Sequence, residues 1–172
     1  QDLRTELQSA LGQFPLFRFW GPAADITSSK WIADAARHVH RTIDPTLLMV
    51  YLPHLDYGLQ KLGPKSPAMT PIRRALDDVA ADLIEELMAD GRRILLVNEY
   101  GIAPVTDAIA PNRFLRQHGL LSIRHERGRE LLDAGSSDAF VVPDHQCAHV
   151  YLADGTRVKE IAALLKKLAG VE

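Results

Sequence analysis

The chain has 172 residues, 47% hydrophobic and 24% charged, with a net charge of -2, the balance of a soluble globular domain. A chain of that length forms one domain and buries roughly 70% of its unfolded surface. The near-neutral charge gives no electrostatic case for nucleic acid or an anionic membrane, one cysteine excludes an internal disulfide framework or a multi-cysteine zinc site, and no apolar run approaches the ~20 residues of a membrane span.

Cys147 reads as a small buried apolar residue, the alternative being a reactive thiol. The first residues, Gln1-Asp2-Leu3-Arg4, carry no basic stretch and no apolar one. No signal peptide is read there, and a cytoplasmic location is expected. A start without Met points to a processed chain or a piece of a longer protein.

Leu3, Leu7 and Leu11 recur at helical spacing and Gly12 stops the pattern. Phe14 to Pro22 is rich in aromatics and in Pro and Gly, which no regular element tolerates. It reads as an irregular segment packed onto the body through its rings, or as an aromatic ligand platform. Ser28 or Ser29 is expected to cap a helix from about Lys30 to Arg41. His38 and His40 lie two apart on it, so they point to different sides and read as surface histidines. Asp44-Pro45 ends it.

Leu47-Leu48-Met49-Val50 is a continuous apolar run, the pattern of a strand covered on both faces in a parallel sheet. A strand is expected from Thr46 to Leu52, followed by a loop through Pro67. Thr70 is the expected N-cap of a long helix with Pro71 at its first position. Ile72, Ala75, Leu76, Val79, Leu83, Leu87 and Met88 make its apolar face, and Gly91 ends it. Asp77, Asp78, Asp82, Glu85 and Glu86 read as its solvated side. Ile94 to Val97 is a second buried strand, which completes a βαβ unit.

In such sheets the ligand crevice lies beyond the carboxyl ends of the strands. His54, Asp56 and Gln60 follow the first strand; Asn98, Glu99 and Tyr100 follow the second. The crossover brings both ends to one sheet edge, so Asp56 and Glu99 are expected to converge. Paired carboxylates there bind a hard cation, join histidines around zinc or manganese, or work as an acid and base.

Beyond Gly101 a short helix is read at Pro111 to His118, closed by Gly119. A strand is read over Leu120 to Arg124, a helical turn over Glu126 to Leu132, and strands at Ala139 to Val142 and Cys147 to Leu152. Val158, Ile161, Leu164, Leu165 and Leu168 give a last amphipathic helix before Gly170. His145 and His149, four apart on a strand, sit roughly 13 Å apart, too far to share an ion. No phosphate-cradling glycine loop and no GxSxG elbow is present.

The run Asp56-Tyr57-Gly58-Leu59-Gln60-Lys61-Leu62-Gly63-Pro64 resembles a metal-binding segment of type I phosphodiesterases and nucleotide pyrophosphatases, in the alkaline phosphatase superfamily. That segment runs Asp, three residues, His, Lys, an apolar or aromatic residue, Gly or Ala, then Pro. Val97-Asn98-Glu99-Tyr100-Gly101-Ile102 is similar to the later Ser-Asp-His-Gly-Met. The similarity covers residues 46–170.

The resemblance implies an α/β fold over residues 1–172, with a parallel-type sheet flanked by helices. It implies a small extra β/α subregion near residues 119–155. The whole is a partial alkaline-phosphatase-like core, an internal fragment of a longer domain. It also implies a metal-dependent phosphodiesterase or nucleotide pyrophosphatase, or a non-catalytic relative that binds phosphate esters or nucleotides. The cofactor is a divalent ion: zinc, manganese or magnesium. Asp56 and Glu99 are the implied metal residues, with Gln60 and Tyr100 standing where the family has histidines. His54 and Asn98 are further candidate contacts. The nucleophile is expected outside this chain, so the chain by itself is not expected to turn over a phosphodiester, and some self-association is expected.

Overall fold

The computed structural model describes residues 2–172. The chain divides into two compact units, one running to Val105 and one spanning Thr106–Glu172. Among the described residues it is a mixed α/β structure with seven α-helices and two antiparallel hairpins.

The first unit is helical. Helix α1 (Leu3–Leu11) is capped by Asp2, which accepts from the Thr5 amide at 2.8 Å, and closed by Gly12 at φ 79°. A single helical turn follows, α2 (Leu16–Phe19). Helix α3 (Ile26–Ile43) starts earlier than the serines suggested. Asp25 is its cap, accepting from the Thr27 amide at 2.9 Å. Ser28 and Ser29 are buried inside the first turn. Aspartate outcompetes them because its extended backbone aims a carboxylate at the free amides.

The loop expected after Leu52 holds another helix, α4 (Leu55–Leu62), ended by Gly63 at φ 78°. Helix α5 (Met69–Ala89) follows; it begins just ahead of Thr70-Pro71, and Gly91 takes the left-handed backbone beyond its end. Gly58 lies where α4 meets α5. A Cβ there would stand 3.3 Å from both Ile72 Cδ1 and Met69 Cε, so a larger residue would require these side-chain ends to shift by a few tenths of an ångström.

Ala33 and Ala36 of α3 pack against Val79, Leu83 and Leu87 of α5 to make this unit's core. Glu86 is not part of a purely solvated side. Its two carboxylate oxygens take Arg37 Nε at 3.0 Å and Arg41 Nη2 at 2.6 Å, tying α5 to α3. His38 and His40 are likewise engaged rather than loose on the surface. His38 meets Glu6 at 2.7 Å, and the buried His40 meets Asp90 at 2.9 Å.

The expected parallel sheet does not form. Residues 46–52 and 92–100 have no regular secondary structure, and every strand ladder is antiparallel and lies in the second unit. The first run is also not covered on both faces: burial alternates along it. Leu48 and Val50 pack on the α3–α5 core, whereas Leu47 and Met49 face outward. A strand requires lateral hydrogen bonds from another extended segment, and among the described residues neither run has them. The two runs nonetheless travel the same way. Arg92 pairs with Asp44 and reaches the Pro45 carbonyl at one end, and Tyr100 meets Asp56 at the other.

The second unit opens with α6 (Pro111–Gln117), which has proline in its first turn. Strand β1 (Ser122–Glu126) pairs with β2 (Arg129–Asp133). The helical turn expected there is therefore a strand. Arg127 and Gly128 both have positive φ, 49° and 74°, the two-residue turn that favours hairpins. Strand β3 (Ala139–Asp144) pairs with β4 (Cys147–Leu152), and α7 (Val158–Leu165) follows. These hairpins are the small subregion expected near residues 119–155. Leu115, Leu120, Leu121, Val141, Ile161 and Leu165 form the core. The Asn112 side chain completes β3: its amide donates to the Val141 carbonyl at 2.8 Å and its oxygen accepts from the Val141 amide at 2.7 Å. Cys147, expected to be buried, is exposed at the start of β4.

Candidate functional site

The site expected from the sequence lies in the first unit, at the end of the extended run 46–52. The chain turns there into α4, which places Asp56 in the helix's first turn. A carboxylate is favoured at that position because the unpaired amides of the first turn carry partial positive charge. Gln60 follows one turn later on the same face. Its side-chain amide donates to Asp56 Oδ1 at 2.8 Å.

Tyr100 reaches the same atom from the second extended run. Its hydroxyl donates to Asp56 Oδ1 at 2.6 Å. That hydrogen bond is the main reason the Tyr100 phenol is held well above its ordinary pKa, with burial and the charges of Asp56 and Glu99 adding to it. Tyr51 is raised too, by burial first and then by the same two carboxylates. Asp56 and Glu99 therefore act on one pair of tyrosines, and the two runs end in a shared acidic neighbourhood.

The other candidates are placed differently. Asn98 folds back on its own turn, donating to the Tyr100 carbonyl at 2.7 Å. His54 stands just before α4 without a side-chain hydrogen bond to the helix, and faces Asp25. Burial lowers its pKa, and the Asp25 carbonyl and carboxylate only partly offset this. Its Nδ1 is buried with no hydrogen-bond partner among the described residues. Asp25 is pushed up by burial, but Thr27, Arg18 and His54 bring its carboxyl below the usual range. His54 is thus tied to the start of α3 and not to Asp56.

Sequence reasoning missed α4 and the Tyr100–Asp56 contact. Leu55, Leu59 and Leu62, spaced four and three apart before Gly63, carry the helix signal. The tyrosine contact joins positions 44 apart and leaves no local trace.

A family model for type I phosphodiesterase / nucleotide pyrophosphatase matches residues 2–170. The chain belongs to this family. Neither the curated proteins nor the solved structures compared with it include a match.

The family is generally metal-dependent, which poses a test for the residues present. Among the described residues, no three His, Cys, Asp or Glu side chains converge as a metal site. Both hydrogen bonds to Asp56 fall on Oδ1, which leaves Oδ2 as an acceptor. A ligating carboxylate oriented by donors on its other oxygen is the usual arrangement around a bound ion. The residues therefore fit one oxygen ligand and do not fit a two-metal, histidine-containing set. Gln60 and Tyr100, at the histidine positions of the family pattern, use their protons on Asp56 instead. No helix among the described residues is long and apolar enough to cross a membrane.

Proposed function

We propose that the protein is a metal-dependent hydrolase of phosphoric diesters or pyrophosphates, acting on a phosphate-ester or nucleotide small molecule. The observation that carries this reading is the family match over residues 2–170. In this reading Asp56 offers Oδ2 to a divalent ion and Glu99 is the second carboxylate of the neighbourhood. Oxygen donors without histidine favour manganese or magnesium over zinc. A bound ion of this kind polarises a phosphoryl oxygen.

The chain's own residues orient that carboxylate. Gln60 and Tyr100 hold Oδ1, which fixes the side-chain rotamer and withdraws one oxygen from competition. The phenol stays protonated well past neutrality, so it remains a donor across the working range of a hydrolase.

The test is hydrolysis of bis(4-nitrophenyl) phosphate by the intact protein with zinc, manganese or magnesium added in turn. Turnover that requires one of these ions and disappears in Asp56→Ala supports the reading. Turnover unchanged in Asp56→Ala overturns the role of Asp56.

A second reading is a relative that binds phosphate esters or nucleotides without hydrolysing them. The two protons donated to Asp56 in place of histidine ligation favour it. Saturable binding of a nucleoside monophosphate, with no turnover under any of the three ions, selects this second reading.

A further inference from the structure

One well-formed cleft of the first unit lies away from Asp56. It is an open cleft of about 890 Å³ between α1, the segment around α2, and α3, lined by Leu7, Phe14, Phe17 and Trp31 with Arg4 and Arg18 at its edge. That volume falls in the range of small-molecule sites, which are mostly apolar with a few polar groups.

Its aromatic wall is already in place. Phe14 makes edge contacts with Phe19 and Trp31, at centroid separations of 5.4 and 5.2 Å. The Trp31 indole N–H donates to the Gly12 carbonyl at 3.2 Å, which fixes the ring against α1. A wall held this way loses little freedom when a ligand arrives. Phe17 is the exception. It is 85% exposed, an apolar ring with little to cover it.

The charge at the cleft has one sign. No carboxylate lines it. Arg18 is joined to Asp25 at 3.0 Å but keeps a side chain 57% exposed, and Arg4 is exposed, its charge acting on the Asp2 carboxylate at the start of α1. A guanidinium binds a planar anion through paired N–H groups and also stacks on a flat ring.

From this we infer that the cleft is a binding site for a small aromatic anion, its ring laid against Phe17 and Trp31 and its charge directed to Arg4. The inference stands apart from the hydrolase reading, since none of the Asp56 neighbourhood takes part.

The test uses the full chain labelled with 5-fluorotryptophan and followed by fluorine NMR. The two tryptophans give two resonances, assigned with Trp20→Phe. Titration with 2-naphthoate is expected to shift the Trp31 resonance saturably and to leave that of Trp20 in place. Phe17→Ala is expected to weaken binding by about three- to tenfold, the range of one aromatic contact. The ring is exposed, so this variant keeps its fold. Neutral 2-naphthamide is expected to bind more weakly than the anion, and Arg4→Gln to remove that preference. The inference is overturned if both resonances drift together without saturation. It is equally overturned if Phe17→Ala binds like the parent, or if the amide binds as well as the carboxylate.

Discussion

The Tyr100 hydroxyl donates to Asp56 Oδ1 at 2.6 Å across 44 positions of sequence. This one bond brings the end of the second extended run to the start of α4, and it raises the phenol's pKa. A raised phenol keeps its proton longer in the folded state than in the unfolded one. Stability from this bond is therefore fully present below the ordinary value of 10.0 and is lost as pH climbs above it. Spectrophotometric titration is expected to show a tyrosine that ionises later than the rest. In Asp56→Asn it is expected to move back towards its ordinary range, and in Tyr100→Phe that titration disappears. A late tyrosine unchanged in both variants contradicts the contact.

A second prediction concerns Asn112, whose side chain pairs with both backbone groups of Val141. Val141 is buried, so removing the amide leaves an N–H and a C=O without partners. Asn112→Ala is expected to destabilise the fold by about 1–3 kcal/mol. Urea denaturation measures it. A change within about 0.5 kcal/mol, the span of an inert surface substitution, contradicts this role.

His54 predicts an acid-side pH dependence. Burial lowers its pKa from the ordinary 6.5. The unfolded chain then binds this proton more readily than the folded one, so stability rises with pH in the window just below 6.5 and falls as the solution is acidified through it. Asp25 has a lowered carboxyl, and its contribution is lost only at more acidic pH, below its ordinary 3.8. His54→Gln is expected to flatten the urea midpoint between about pH 7 and pH 5.5, where an unperturbed histidine titrates. An equally steep dependence in the variant assigns the slope to other groups.

The exposed apolar runs predict association. Leu47, Met49, Leu95 and Leu96 are 76%, 86%, 85% and 83% exposed, and contiguous apolar surface of this kind marks a contact site. The chain is expected to self-associate in sedimentation experiments, and Met49→Ser with Leu95→Ser to reduce it. Strictly monomeric behaviour over the full concentration range contradicts the expectation.

Much of the helical framework is legible in the residues. Gly12, Asp44-Pro45 and Gly91 end their helices where turn chemistry says they should. The spacing of Val79, Leu83 and Leu87 identifies the buried face of α5. The sheet is not legible in the same way. Apolar runs at 47–50 and 94–97 carry the signal of covered strands, but that signal reports burial and not hydrogen-bond partners. The ladders form in the second unit, where three of the four strands are legible and only β2 reads as a helical turn, beyond the tight turn at Arg127-Gly128. At the site, Asp56 and Gln60 are neighbours because they are one helical turn apart, a relation visible once α4 is seen. His54 is equally close in sequence, yet it faces Asp25. The direction of a side chain at a helix start depends on packing that no local pattern records.

The central claim is that Asp56 is a ligand for a divalent ion, and calorimetric titration of the intact protein with manganese or magnesium tests it most directly. Binding lost in Asp56→Asn and retained in Tyr100→Phe, where the carboxylate gains a free oxygen, is the predicted result. Binding of equal affinity in the parent and in Asp56→Asn would contradict it.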